Sequence, residues 1–192
     1  MELSSRVFQM YEVFVVLGVA LAPTPGTVAA LERACERAGP VGILAEPSLQ
    51  KIVQDAATAL QTKSHPTPAR VELRGTYQLL YSAAKGGSNG KVGPFVGKVT
   101  QLIQDDEIFF NQVALFAGLL TVKLKARREI LDDQRIRVSF IETTFSILGR
   151  EVNRQPTKGE GVWEQLYVEQ GSDGTAALRV MKTPSLFVLR QV

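Results

Sequence analysis

The fold is decided by one stretch of sequence, Val71-Glu72-Leu73-Arg74-Gly75-Thr76-Tyr77-Gln78-Leu79-Leu80-Tyr81-Ser82. Apolar residues and Gly75 alternate with polar residues along it, and Leu80 is the one exception on the polar side. Successive side chains of a β-strand point to opposite faces of the sheet. The period of two therefore predicts a long strand with one apolar face.

Similar stretches continue to the end of the chain. They predict further strands at 95–104, 108–115, 120–127, 135–140, 144–149, 161–168, 177–181 and 185–190. Strands in such close succession, joined by short turns, indicate a meandering antiparallel sheet. Closing that sheet into a barrel would remove its exposed edges. A barrel of about eight strands is just wide enough to hold one small ligand. The sequence therefore predicts a mainly β protein with N-terminal helices and an antiparallel β-barrel over residues 70–192.

Residues 23–69 carry helical signals and a linker. Thr27 is a suitable N-cap for a helix that ends near Ala38, before Gly39 and Pro40. A second helix is predicted to start near Pro47. Its apolar residues, at helical spacing, are Leu49, Ile52, Val53, Ala56, Ala57 and Leu60. We expect this stripe to pack on the outside or the open end of the following domain. Residues 61–69 are predicted to form the linker.

The N-terminal segment, residues 1–22, is apolar. Its run from Val13 to Ala22 is too short to span a bilayer. Glu2 and Glu12 are atypical of secretory signals and of plastid transit peptides. We expect a short apolar helix that docks on the domain or on a partner, in preference to a cleaved signal. An anchor on a membrane surface or in a complex is the other interpretation.

Composition and charge exclude several classes of function. The chain has 22 Lys and Arg against 19 Asp and Glu, a net charge of +3, which is too weak to indicate a nucleic-acid partner. The chain has one cysteine and one histidine, so it can form no internal disulfide and has too few ligands for a structural zinc site. We expect Cys35 to be a buried, inert thiol and His65 to be solvated in the linker.

No pattern in the sequence indicates catalysis, so the protein is predicted not to be an enzyme. No motif combines a nucleophile, a base and an orienting acid. The acidic clusters 105–107 and 132–133 fall at predicted turns, where Asp side chains bond the local backbone. The glycine-rich stretch 86–92 lacks the spacing and the context of a phosphate loop and is interpreted as a hairpin loop.

Aromatic residues are concentrated in or beside the predicted strands. They are Phe95, Phe109, Phe110, Phe116, Phe140, Phe145, Trp163, Tyr167 and Phe187. Some of them must point into a closed barrel. Alternation along the strands does not distinguish a solid core from a lined cavity, so both interpretations remain open at this point.

An ordered series of short motifs resembles one known family, the plastid lipid-associated proteins or plastid fibrillins. The stretch Leu73-x-Gly75-x-Tyr77-x-Leu79-Leu80-Tyr81-Ser82 is similar to the start of that family's barrel. Similar pieces follow in the same order at 96–101, 111–113, 135–140, 163–168, 178–180 and 185–189. The resemblance covers about residues 70–190.

The resemblance implies a lipocalin-like barrel that associates with plastid lipids. The cargoes implied are carotenoids, quinones, tocopherols or fatty acyl chains, and the implied location is the chloroplast thylakoid or plastoglobule surface. Two departures stand out: Tyr77 replaces the usual Trp of the first strand, and residues 170–177 are an insertion before the closing motif. In similar barrels the arginine that matches Arg179 packs across the first-strand aromatic, and this contact is weaker with Tyr than with Trp.

The first functional hypothesis is binding of a hydrophobic small molecule: a lipid, isoprenoid, quinone or carotenoid. The predicted apolar lining consists of Tyr77, Tyr81, Phe95, Phe109, Phe140 and Phe187, and the predicted polar groups are Gln101, Asn111 and Arg179. No other cofactor is expected. The alternative is a structural or assembly subunit with a solid barrel, docked to a thylakoid membrane complex through its N-terminal segment. An isomerase or acyl hydrolase is a third hypothesis, for which no base can be named.

Overall fold

Two α-helices precede the sheet in the computed structural model, which describes residue 24, residues 26–85 and residues 87–192. Helix α1 spans Val28–Ala38 and helix α2 spans Pro47–Gln61. Thr27 caps α1 as predicted, because its Oγ1 accepts a hydrogen bond of 3.2 Å from the Ala30 backbone N–H. Neither of these described helices combines the length and the apolar character needed to cross a membrane. The apolar segment predicted for residues 1–22 lies outside the described residues.

The strands that follow are antiparallel. They are β1 (Gly75–Ser82), β2 (Lys91–Val92), β3 (Phe95–Val96), β4 (Lys98–Ile103), β5 (Ile108–Leu115), β6 (Leu120–Ile130), β7 (Arg135–Ile147), β8 (Arg150–Pro156), β9 (Glu160–Gln170), β10 (Ala176–Lys182) and β11 (Leu186–Gln191). Nine of them form one sheet, in the order β6-β5-β4-β1-β11-β10-β9-β7-β8, and β2 pairs only with β3. The prediction of a mainly β protein with a large antiparallel sheet is confirmed.

An additional pairing joins β6 to β7 along their whole length, from Leu120 opposite Ile147 to Ile130 opposite Ile136. The other edge of β7 changes partner midway: Arg135–Ser139 pairs with β9, and Glu142–Ile147 pairs with β8. Consequently eight strands have a hydrogen-bonded neighbour on both sides: β1, β4, β5, β6, β7, β9, β10 and β11.

The predicted strand boundaries differ from the structure in two regions. The strands predicted at 135–140 and 144–149 are a single strand, β7, and β8 was not predicted because all its residues are exposed and lack an apolar face. The strand predicted at 95–104 is divided at Gly97. A Cβ there would lie 2.7 Å from Val113 Cγ1, so only glycine fits, and β4 begins one residue later.

Helices α1 and α2 cover the outer face of β11 and of its neighbours β1 and β10. Leu31, Cys35 and Val53 pack there against Val180 and Val188. Because this face is buried as well as the inner one, β10 and β11 are apolar almost throughout. The stripe on α2 is narrower than predicted, since Ile52 is 41% exposed.

Two side chains, Arg190 and Cys35, lie where the helical layer meets the sheet. Arg190 bridges the two, at 2.6 Å from Glu32 of α1 and 2.8 Å from Glu169 of β9. Burial raises the pKa of Cys35 to about 12, so its thiol stays protonated and inert near neutral pH, as expected.

Candidate ligand-binding cavity

The sheet encloses a cavity of about 480 Å³ near one of its two ends. The strand registers bring the segments 83–98, 115–120, 147–150 and 182–186 to this end, which we call the open end. Ser88, Val92 and Thr183 of these segments take part in the cavity wall. At the opposite end lie the turns 104–107, 131–134 and 171–175, which we call the acidic end.

The cavity wall is mainly apolar and is built from the inward side chains of the sheet. The wall residues are Leu79, Ser88, Val92, Val99, Gln101, Asn111, Val113, Val122, Leu124, Phe140, Thr143, Phe145, Trp163, Met181, Thr183, Phe187 and Leu189. Val99, Val113 and Val122 point inward but are only half-buried, because the space in front of them is empty. Short β-branched side chains in three neighbouring strands leave a volume that they do not fill.

The half of the interior nearer the acidic end is filled. Four large side chains there are at most 2% exposed: Tyr77, Ile103, Phe109 and Ile136. Phe109 packs edge-on against Trp163, with 5.5 Å between the ring centroids. These large side chains form a floor beneath the cavity. We call this half of the interior the filled half.

Arg179 lies in this floor and is 1% exposed. Its guanidinium donates to Gln101 Oε1 at 2.6 Å and to Gln165 Oε1 at 3.3 and 3.4 Å. It also lies over the Tyr77 ring, 5.3 Å from the centroid, as the resemblance implied. Burial lowers the pKa of Arg179 to about 10, so the group remains charged at neutral pH. None of its described hydrogen-bond partners is a carboxylate.

Two amide side chains connect this charge to the cavity. Gln101 and Asn111 are directly opposite each other on β4 and β5, and both line the cavity. Gln101 Nε2 donates to Asn111 Oδ1 at 2.9 Å. The wall therefore contains one hydrogen-bonded pair of amides in mainly apolar surroundings.

Comparison with protein-family models identifies the family of the chain. The PAP_fibrillin model matches residues 34–181, which extend from within α1 to β10. The chain belongs to the plastid lipid-associated protein (fibrillin) family. No curated protein and no solved structure matched the chain. Membership implies association with plastid lipids and with plastoglobules.

The structure places the nine predicted site residues of this fibrillin-family chain in three groups. Gln101, Asn111, Phe140 and Phe187 line the cavity, whereas Tyr77, Phe109 and Arg179 lie in the floor below it. Tyr81 and Phe95 lie elsewhere.

Their predicted role as lining residues is corrected for two reasons. A bulge between Leu79 and Tyr81 turns Tyr81 outward, under the helices. Phe95 lies outside the main sheet in the β2–β3 hairpin and is 48% exposed.

Sequence reasoning missed most of the aliphatic wall of the fibrillin cavity. Val99, Val113 and Val122 were not among the predicted site residues, because the predicted apolar lining consisted of aromatic side chains. A usable signal was present: these three valines occupy inward positions of neighbouring strands. Small side chains at matched inward positions indicate a void better than aromatic residues do.

The outer surface of the open end is apolar and positively charged. Seven large apolar residues are exposed there: Val92, Phe95, Val96, Phe116, Leu119, Ile147 and Leu148. Phe95 and Phe116 are in contact, with ring centroids 4.9 Å apart, and the Leu148 N–H donates to the Leu119 carbonyl at 2.7 Å. Three of the four segments of the open end therefore form one continuous patch.

Charge is distributed unequally between the two ends of the molecule. The segments of the open end contain the cations Lys85, Lys91, Lys98, Arg150 and Lys182 and no acidic residue. None of these five forms an ion pair with another described residue. The turns of the acidic end contain Asp105, Asp106, Glu107, Asp132, Asp133 and Asp173. Four of these six carboxylates pair with arginines that flank the turns, namely Arg70, Arg127, Arg128 and Arg135.

The acidic residues have structural roles within the part of the chain that is described. Asp105 and Asp132 accept hydrogen bonds from backbone N–H groups of their own turns, as predicted for both clusters. These bonds lower the pKa of both carboxyl groups. No described set of three or more His, Cys, Asp and Glu side chains is arranged to hold a metal ion.

Proposed function

We propose that the eight doubly paired strands form a closed, lipocalin-like barrel whose cavity holds one hydrophobic small molecule. The observation that carries the proposal is the mainly apolar cavity of about 480 Å³ above a filled floor. Its volume lies in the range of small-molecule sites, roughly 300 to 1,000 Å³. Family membership supports a lipid, isoprenoid, quinone or carotenoid as cargo.

The binding energy would come chiefly from the burial of apolar surface. Each Å² removed from water contributes about 25 cal/mol. The half-buried wall residues Val113, Val122 and Phe145 lose their remaining exposure when a ligand enters. Binding of this kind needs no covalent chemistry and no metal.

Cargo binding is tested on the purified protein by organic extraction followed by mass spectrometry. Titration of the lipid-free protein with quinones and carotenoids should quench the fluorescence of Trp163, which is the sole tryptophan and lines the cavity. Val122→Phe places a ring in the cavity and should weaken quenching. Val162→Phe is the matched control, because Val162 is 52% exposed and lies outside the wall. Absence of both extracted lipid and quenching in the unaltered protein would contradict the proposal.

We infer further that the open end rests on a negatively charged lipid surface of the thylakoid or plastoglobule. The continuous apolar patch provides area to bury, and the five cations around it are complementary to anionic headgroups. Among the described residues, the acidic end offers neither a comparable apolar patch nor a comparable set of cations without ion-pair partners. In this orientation the cavity faces the lipid, so cargo would exchange without crossing water.

This orientation is tested by flotation with neutral galactolipid vesicles, with and without phosphatidylglycerol. Binding should require the anionic lipid. Phe116→Ser should weaken it by about tenfold or more, since a buried Phe contributes about 1.5–3 kcal/mol. Ile130→Ser is the control, because Ile130 is also exposed but lies near the acidic end. Equal losses in the two variants would refute the assigned surface.

The alternative of an assembly subunit with a solid barrel is disfavoured by the cavity. Its other element, docking of a thylakoid complex through residues 1–22, remains a prediction. Co-purification with a large membrane complex that is lost when residues 1–22 are deleted would favour it.

A further inference from the structure

We propose that Asn111 is the polar anchor of the cavity and presents a hydrogen-bond donor to the ligand. The ligand would therefore carry an acceptor, such as a ketone, ester or quinone oxygen. This inference rests on the proposed cargo-binding function and narrows its ligand class.

The argument begins at Arg179, because a guanidinium group has donors and no acceptor. Its Nη1 is 2.6 Å from the side-chain oxygen of Gln101. The opposite orientation of the Gln101 amide would place its N–H groups against the N–H groups of the Arg179 guanidinium. The buried cation therefore fixes which end of this amide faces the floor, a choice that is otherwise often ambiguous for Gln side chains.

The orientation of Gln101 then determines that of Asn111. With its oxygen turned to Arg179, Gln101 presents Nε2 to Asn111 Oδ1 at 2.9 Å. The oxygen of Asn111 is thereby engaged, and its Nδ2 is left over. Asn111 lines the cavity, and its Nδ2 donates to no other described residue.

The result is a chain of donors that runs in one direction, from the cation through Gln101 to Asn111. An acceptor atom on the ligand extends this chain, and the buried charge polarises each bond in the same sense. A ligand group that offers only N–H would meet the N–H of Asn111. A pure hydrocarbon gains burial of area and no hydrogen bond.

Three probes with the same number of heavy atoms separate these cases: 4-isopropyl-dodecylbenzene as the hydrocarbon, N-ethyl-4-dodecylaniline as the aniline and 4-dodecylacetophenone as the ketone. Each competes with Nile red for the cavity of the full chain, and displacement of the dye gives its affinity. The ketone should bind roughly fivefold tighter than the hydrocarbon, the value of one net hydrogen bond. The aniline should bind no tighter than the hydrocarbon.

Two variants test the direction of this series of hydrogen bonds. Asn111→Asp replaces the free donor with an acceptor, so the preference should reverse in favour of the aniline. Arg179→Met releases the Gln101 amide, which can then turn over, and the ratio of ketone to aniline affinity should approach one. That ratio separates a positioning role of Arg179 from a merely structural one. Asn111→Asp provides the test if Arg179→Met does not fold.

The outcomes distinguish this inference from the function on which it depends. If none of the three probes displaces the dye, the cavity is not a hydrophobic site, and both proposals are overturned. If all three bind equally well, or if the aniline binds tightest to the unaltered protein, the donor role of Asn111 is overturned and cargo binding stands.

Discussion

The two ends of the sheet differ in three respects at once. The acidic end is filled with large side chains, and its carboxylates bond its own turns. The open end encloses empty space, exposes apolar side chains and has cations without described ion-pair partners. The difference teaches that one sheet can concentrate its tightly packed contacts at one end and leave empty space and exposed apolar side chains at the other.

The largest expected effect tests the filled half against the cavity wall. Phe109→Ala should lower the free energy of unfolding by about 3–5 kcal/mol, because it opens a void among packed side chains. Phe145→Ala should lower it by about 1 kcal/mol, because that ring borders space that is already empty. Urea unfolding of both variants provides the comparison. Equal losses would mean that the cavity is not empty in solution.

The next prediction concerns the cations of the open end. Lys91→Gln should weaken binding to anionic vesicles about fivefold, since a basic residue near such a surface contributes about 1 kcal/mol. Lys51→Gln on α2 removes the same charge, from a pair with Asp55 at 2.7 Å, and should have little effect. Flotation at several salt concentrations should show a weaker salt dependence for Lys91→Gln alone.

A smaller effect, opposite in sign to that of Phe109→Ala, is expected in the floor. The Tyr77 hydroxyl is buried without a hydrogen-bond partner among the described residues. Tyr77→Phe removes this hydroxyl and keeps the ring beneath Arg179, so stability should rise by up to about 1 kcal/mol. Urea unfolding would measure the change. A clear loss of stability would reveal that the hydroxyl has a partner in solution.

The smallest expected effect concerns acid and the turn at Asp132. Hydrogen bonds from the Gln134 N–H and from Arg135 lower the pKa of this carboxyl below its ordinary value of 3.8. A lowered folded-state pKa stabilises the protein above the ordinary value, and the contribution is lost as the pH falls through the lowered one.

Asp132→Asn keeps a side-chain oxygen that can accept from the backbone N–H groups of Gln134 and Arg135, and it removes the titration. The variant should therefore lose less stability than the unaltered protein between about pH 5 and about pH 3. Urea midpoints measured across this range provide the test. Identical pH profiles would show that the turn does not depend on ionisation.

Sequence reasoning predicted the parts of the molecule that depend on local periodicity. The alternation from Val71 onward, the cap at Thr27 and the acidic turns each follow from a few adjacent residues, and the structure confirms all three. The motif series also indicated the family that the PAP_fibrillin match establishes.

Other features depend on distant parts of the chain, and the alternation along the strands did not by itself predict them. The bulge that turns Tyr81 outward is a change of register between β1 and β11, which alternation within β1 does not encode. The void depends on which side chains meet inside the sheet, and so does the burial of Arg179. Strand β8 has no apolar face, so periodicity gave no sign of it.

Strand β8 has one further consequence, for self-association. It is the one strand of the described main sheet with a single neighbour, so its outer backbone groups are available to another chain. Arg150, Glu151 and Arg154 lie along it, and Pro156 ends it. Charges and a proline at such an edge oppose growth into fibrils, so the sequence of β8 disfavours the association that its unpaired backbone edge would otherwise allow.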